Sequence, residues 1–114
     1  MSKANKLYIL WTNADPVTSD KMVMMYGINS RLYGWWEEVT ILIWGATARL
    51  AAGNEGIQER IKQALQAGVR VIACKGCSDQ LAVSEKLEEM GVAVAYIRED
   101  LTRILKDNER LLTI

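Results

Sequence analysis

Residues 39–74, "VTILIWGATARLAAGNEGIQERIKQALQAGVRVIAC", contain the pattern that decides the fold. The run "VTILIW" (39–44) is β-branched and unbroken, as expected of a strand buried on both faces, and it stops at Gly45. From Asn54, a good N-cap, Ile57, Ile61, Ala64 and Leu65 recur at i, i+4, i+7 and i+8. Gln58, Glu59, Lys62 and Gln66 lie opposite, and Gly68 ends the segment. This predicts an amphipathic helix. "VRVIAC" (69–74) is a second buried strand, so the unit is β-α-β. The intervening "GATARLAAGN" (45–54) reads as a loop.

The same alternation extends in both directions. "KLYILW" (6–11) is a short apolar strand ended by the turn-forming "TNADP". Pro16 or Ser19 then opens a first helix carrying Met22, Val23, Met24, Met25, Tyr26, Ile28, Leu32 and Tyr33. These cover more than one stripe, so something besides a sheet must cover that helix. "SDQLAVSEKLEEMG" (78–91) is helical, with a break near Ala82 and Val83 and Ser84 capping a second piece. "VAVAYI" (92–97) is a fourth strand, "DLTRILKDN" (100–108) a short helix and "RLLTI" (110–114) a fifth strand. No repeat, low-complexity tract or linker interrupts residues 1–114, which form a single domain. Strict alternation predicts a three-layer α/β/α architecture around a mainly parallel five-stranded sheet. Chemistry in such sheets gathers at the carboxyl ends of the strands.

Composition narrows the functions. Lys+Arg and Asp+Glu are both 14, so no global field points to nucleic acid or an anionic membrane. No apolar run reaches the ~20 residues of a membrane span, and "MSKANKLYIL" lacks the features of a signal peptide. A cytosolic protein with reduced thiols is expected. Histidine is absent, which removes every His-dependent catalytic arrangement and the commonest metal ligand. No phosphate-cradling glycine motif follows a strand, and no cofactor is expected.

Both cysteines, Cys74 and Cys77, fall in "ACKGCSDQ" (73–80) at that carboxyl edge. A sulfur at the end of a strand entering a helix meets unpaired backbone N–H groups, which favour thiolate. Lys75 pushes the same way and Asp79 opposes it. Cysteine is also a small hydrophobe, and a buried structural pair is the bland alternative. A thioredoxin-like redox site needs a proline loop downstream, whereas the one proline, Pro16, lies upstream. Two cysteines without histidine supply too few ligands for a zinc site within one chain, so no metal is expected.

The stretch from "VTILIWG" to "CKGCSDQLAVSEKLEEMGV" resembles the DsrE/DsrF-like family of small sulfur-relay proteins. The strand closing in "IWG", the helix ending in "AGV" and the strand ending in "AC" carry the likeness. The resemblance implies that Cys74 holds sulfane sulfur as a persulfide and passes it to a partner thiol. Cys77 then matches the second cysteine of a C-x-x-C subgroup, with Lys75, Gly76, Ser78, Asp79 and Gly45 in support. It further implies sulfur donor and acceptor proteins and a homo-oligomer, a trimer or hexamer. Ala82 stands where relatives often carry glycine.

Two other readings stay open: an oligomeric module that binds a small ligand or protein with structural cysteines, and a dithiol redox sensor. Trp11 and Trp44 end neighbouring strands at the active edge and, with Asn13 in the loop after the first strand, are candidates to line a pocket near Cys74, with core packing the default. Asp15, Asp20 and Asp100 read as caps and turn residues. Trp35 and Trp36 are adjacent and cannot both face one core, so at least one is expected at the surface or an interface.

Overall fold

Alternate residues of each strand part into two cores, and this parity fixes where the cysteines go. The computed structural model describes residues 5–114, so the first four residues of the stretch read for a targeting signal lie outside it. The strands are β1 (Lys6–Trp11), β2 (Glu38–Ile43), β3 (Arg70–Cys74), β4 (Ala93–Ala95) and β5 (Arg110–Thr113). They form one sheet in the order β4-β3-β2-β1-β5 with every pairing parallel. Odd-numbered residues Leu7, Ile9, Trp11, Val39, Ile41, Ile43, Val71 and Ala73 belong to a large core on one face. Even-numbered Leu42 and Cys74, with Tyr8, Leu10, Trp44 and Ile72, belong to a smaller core on the other.

Strand order explains the unequal cores. Steps from β1 to β2, β3 and β4 all run in one direction, so right-handed crossovers stack their helices on one face. These helices are α1 (Pro16–Thr18), a π-helical segment Ser19–Met24, α2 (Met25–Leu32), α3 (Thr47–Gly53), α4 (Glu55–Gln66), α5 (Lys75–Gln80) and α6 (Ser84–Glu89). The return to β5, beyond β1, places α7 (Arg98–Lys106) on the opposite face, where Ile97 and Ile104 close the smaller core. The molecule is the α/β three-layer domain that the alternating pattern predicts.

Local chemistry sets the helix starts. Asp15 accepts a hydrogen bond from the Thr18 N–H at 2.8 Å and Asn54 accepts one from the Ile57 N–H at 2.9 Å, so both act as N-caps. The backbone bond to Thr18 is the main reason that the Asp15 carboxyl sits below the usual carboxylate range. At Gly27, a Cβ would stand 3.4 Å from Ile41 Cδ1, which lets α2 lie close on β2.

Several boundaries differ from the sequence expectations. "GATARLAAGN" is not all loop: Thr47–Gly53 is helical. Thr47 is fully buried and its hydroxyl donates to the Trp11 carbonyl at 2.8 Å while accepting from the Trp44 N–H at 3.1 Å, pinning α3 to two strand ends. Strand β4 ends at Ala95 because Ile97 turns into the smaller core as the N-cap residue of α7, which starts at Arg98. Ser84 begins α6 without capping it. The break at Ala82 is real: its φ of +60° is a left-handed conformation that a Cβ disfavours.

The first helix is only partly a free surface. Val23, Met24 and Ile28 are buried in the large core, so Met24 is a core residue of this chain and not a candidate for a contact between chains. Met22, Met25, Leu32 and Tyr33 stay exposed. Of the adjacent tryptophans, Trp35 is exposed and stacks with Tyr33 at 5.5 Å, whereas Trp36 packs against the large core and donates from Nε1 to Tyr26 Oη at 3.2 Å.

Candidate functional site

Cys74 is the last residue of β3 and the N-cap residue of α5, with even parity that turns its side chain to the smaller core. It is 8 % exposed. Cys77, one turn into α5, is half-buried in the same cluster, and both thiols are free. Burial first, then a hydrogen bond to Cys74 and the negative charge that Cys74 can carry, push the Cys77 thiol up; a backbone hydrogen bond from Gly45 pulls the other way. Cys77 is therefore a protonated thiol at neutral pH, within hydrogen-bonding reach of Cys74. Such an S–H donor stabilises negative charge on the sulfur beside it.

Gly45 makes its contact because it leaves β2 at φ +70°, a conformation open to glycine. At Gly76, a Cβ would stand 3.9 Å from Cys74 Sγ, so the backbone of α5 passes close to that sulfur. The charged neighbours are engaged with each other. Lys75 and Asp79 pair with each other at 3.0 Å, so neither acts on the cysteines as a lone charge. Asp79 also accepts from the Ser84 hydroxyl, the larger cause of its lowered pKa, and Ser84 shares a 2.6 Å hydrogen bond with the buried Ser78 hydroxyl. Ser78, Asp79 and Ser84 thus hold the junction of α5 and α6, one layer behind the sulfurs.

A surface cavity of about 330 Å³ is lined by Gly45, Ala46, Arg49, Cys77, Gln80 and Leu81. Its size falls in the range of small-molecule sites. Cys77 forms part of its wall and Cys74 sits behind, in the core. The candidate pocket residues separate. Trp44 packs in the cysteine cluster. Trp11 is fully buried in the large core, donating from Nε1 to Ser19 Oγ at 2.9 Å, and presents no surface to a ligand. Asn13 organises the turn after β1, accepting from the Asp15 N–H at 2.9 Å. At the neighbouring junction of β1 and β5, the Thr12 and Asn13 N–H groups both donate to the Ile114 carbonyl. Sequence reading missed Arg49; the helix-forming "ATARLAA" was the signal that it sits on a helix. Among the described residues, no group of three His, Cys, Asp or Glu side chains is placed to hold a metal ion, and no helix is long and apolar enough to cross a membrane.

A parallel five-stranded α/β domain with two free, neighbouring cysteines where its third strand passes into α5 defines the class of the molecule. The chain belongs to the DsrE/DsrF-like family, whose model matches residues 11–114. Among solved structures, it is similar to a conserved protein of unknown function from Bacteroides thetaiotaomicron, with 37% identity, a TM-score of 0.97 and coverage of 100% of this chain and 98% of that one. YchN from E. coli is similar in fold, at a TM-score of 0.73 and 18% identity over 96% of this chain and 99% of that chain. No curated protein matches the chain.

Proposed function

We propose that the protein is a sulfur carrier, with Cys74 as the residue that holds the sulfur. The observation that carries this reading is the placement of two free thiols in one cluster where β3 passes into α5, at an open edge of the sheet. The Cys74 thiolate attacks the outer sulfur of a donor persulfide; the new S–S bond forms as the donor S–S bond breaks, and the donor leaves as a thiolate. An acceptor thiolate then attacks the terminal sulfur and Cys74 leaves as thiolate. Alternatively, Cys77 attacks the inner sulfur, forming a Cys74–Cys77 disulfide and releasing hydrosulfide. Two thiols are then oxidised and the sulfane sulfur is reduced.

Membership of the family supports a protein donor and acceptor and assembly into a homo-oligomer. The exposed apolar residues of the first helix support the same assembly, because a surface of that kind is usually covered. Neighbouring free thiols suit the reducing cytosol. Intact mass after incubation with a sulfane-sulfur donor tests the reading. Wild type should gain one reducible sulfur, Cys74→Ser none, and Cys77→Ser should retain its sulfur longer. No gain on wild type with any donor would favour a binding module with structural cysteines.

A further inference from the structure

Arg49 stands between two cavities at the carboxyl edge of the sheet. One is the cavity walled by Cys77, and the other, about 410 Å³, is lined by Ala14, Ala46, Leu50, Gly53, Asn54 and Arg49 itself. Neither cavity has a carboxylate in its lining. Nearby cations are otherwise engaged: Lys75 pairs with Asp79, and Arg60 and Lys21 both pair with Asp20. Among the described residues, the exposed Arg49 guanidinium has no ion-pair or hydrogen-bonding partner. Its helix is nevertheless held in place, since the buried Thr47 hydroxyl ties α3 to the ends of β1 and β2 two residues earlier.

An unpaired arginine on a pinned helix, beside an apolar cavity that ends on a cysteine, is a recognition group for an anion attached to a sulfur reagent. Guanidinium matches carboxylate and oxyanion geometry through parallel hydrogen bonds, and it does so here without first breaking an internal ion pair. We infer that the cleft selects small anionic sulfur donors, with Arg49 as the positioning residue that binds the donor's carboxylate or sulfonate-type group while its sulfane sulfur faces the cysteines. The donor class rests on the sulfur-carrier reading; the anion selectivity of the cleft does not. With a carboxylate-bearing persulfide, the transferred atom is the outer sulfur and the leaving group is the carboxylate-bearing thiolate. With thiosulfate the leaving group is sulfite.

Two measurements on the full chain separate these parts. First, Cys77 is alkylated with iodoacetate and with iodoacetamide, which differ in charge and need no sulfur transfer. Arg49→Gln should lower the iodoacetate-to-iodoacetamide rate ratio by about tenfold, the order expected for loss of one charge-assisted contact, and Arg49→Lys should restore part of it. An unchanged ratio overturns the inference. Second, sulfur loading is followed from N-acetylcysteine persulfide, which carries a carboxylate, from neutral N-acetylcysteamine persulfide, and from thiosulfate. Loading from the first should fall by about tenfold in Arg49→Gln while the neutral donor stays within about twofold. An equal fall for both persulfides overturns the charge argument, and the thiosulfate arm tells a carboxylate preference from a general oxyanion preference. If wild type loads from no donor, the sulfur-carrier reading and the donor class fail together, while the alkylation ratio still decides the role of Arg49.

Discussion

Lys75 Nζ lies 3.0 Å from Asp79 Oδ2, one turn along α5, so the cation beside the cysteines is neutralised by its own helix. Asp79 raises the Lys75 pKa through that hydrogen bond and its charge, which keeps the pair ionised together. An exposed pair of opposite charges leaves little net field at a neighbour. Replacing Lys75 by Gln should therefore change the alkylation rate of Cys74 by less than about threefold. A fall of tenfold or more, measured by mass spectrometry at limiting reagent, would show that the ammonium group acts on the sulfur directly.

The Cys77 thiol should titrate above a free cysteine. Burial and the hydrogen bond and charge of Cys74 all raise the Cys77 thiol, so it stays protonated as pH climbs through the ordinary cysteine range near 8.5 and ionises above it. Alkylation of Cys77 against pH should accordingly be displaced upward from that of a free cysteine. Cys74→Ala removes the hydrogen bond and the charge but leaves the burial, so the midpoint should move down without reaching the free value. Identical curves for wild type and Cys74→Ala would mean that the thiols do not interact. At neutral pH and limiting reagent, Cys74 should label before Cys77 despite its lower exposure; labelling of Cys77 first would exchange the roles of carrier and helper.

Ala82 occupies a left-handed conformation, φ +60°, between α5 and α6. Its neighbours hold it there: the Ala82 N–H donates to the Asp79 carbonyl at 3.1 Å and the Val83 N–H to the Ser78 carbonyl at 2.9 Å. A Cβ costs on the order of 1 kcal/mol in that conformation, partly offset by the extra freedom glycine has when unfolded. Ala82→Gly should thus raise the thermal midpoint by a few degrees without altering cysteine reactivity. A lower midpoint would show that unfolded-state entropy outweighs the relief of strain.

The sheet and the cysteine edge were legible because each rests on a short-range pattern, whereas strand parity was not read from the sequence. "VTILIW" and "VRVIAC" have the composition of strands buried on both faces, and Asn54 through Gly68 carries both helix signals and a clean apolar stripe. Arg49 was not legible as part of the site, since its role depends on the absence of a carboxylate around it, a property of tertiary placement. How far Lys75 acts on the sulfur was not legible for a related reason. Spacing i, i+4 permits the Lys75–Asp79 pair, but only the actual rotamers decide whether lysine faces its own helix or the thiol. Trp11 follows its default of core packing and not the pocket: a residue that ends a strand at the active edge still takes its facing from parity, and odd parity sends it into the large core.

Assembly through the first helix gives the last prediction, and burial decides which residues can test it. Met24 is 0 % exposed within one chain, so Met24→Glu would bury a carboxylate without a partner and destabilise the fold itself, by several kcal/mol. Met25 and Trp35 are 37 % and 57 % exposed, and Trp35 stacks on Tyr33 with Tyr26 also near, ring centroids 6.0 Å apart. A charge at either position costs the monomer little, yet it would be costly inside an apolar interface. Light scattering at micromolar concentration should find wild type as a closed oligomer, and Met25→Glu or Trp35→Glu as smaller species with an unchanged circular dichroism spectrum. Wild type running as a monomer would sink the proposal. Variants that remain assembled would move the interface away from this helix, leaving Met22, Met25, Leu32, Tyr33 and Trp35 as a surface for another partner.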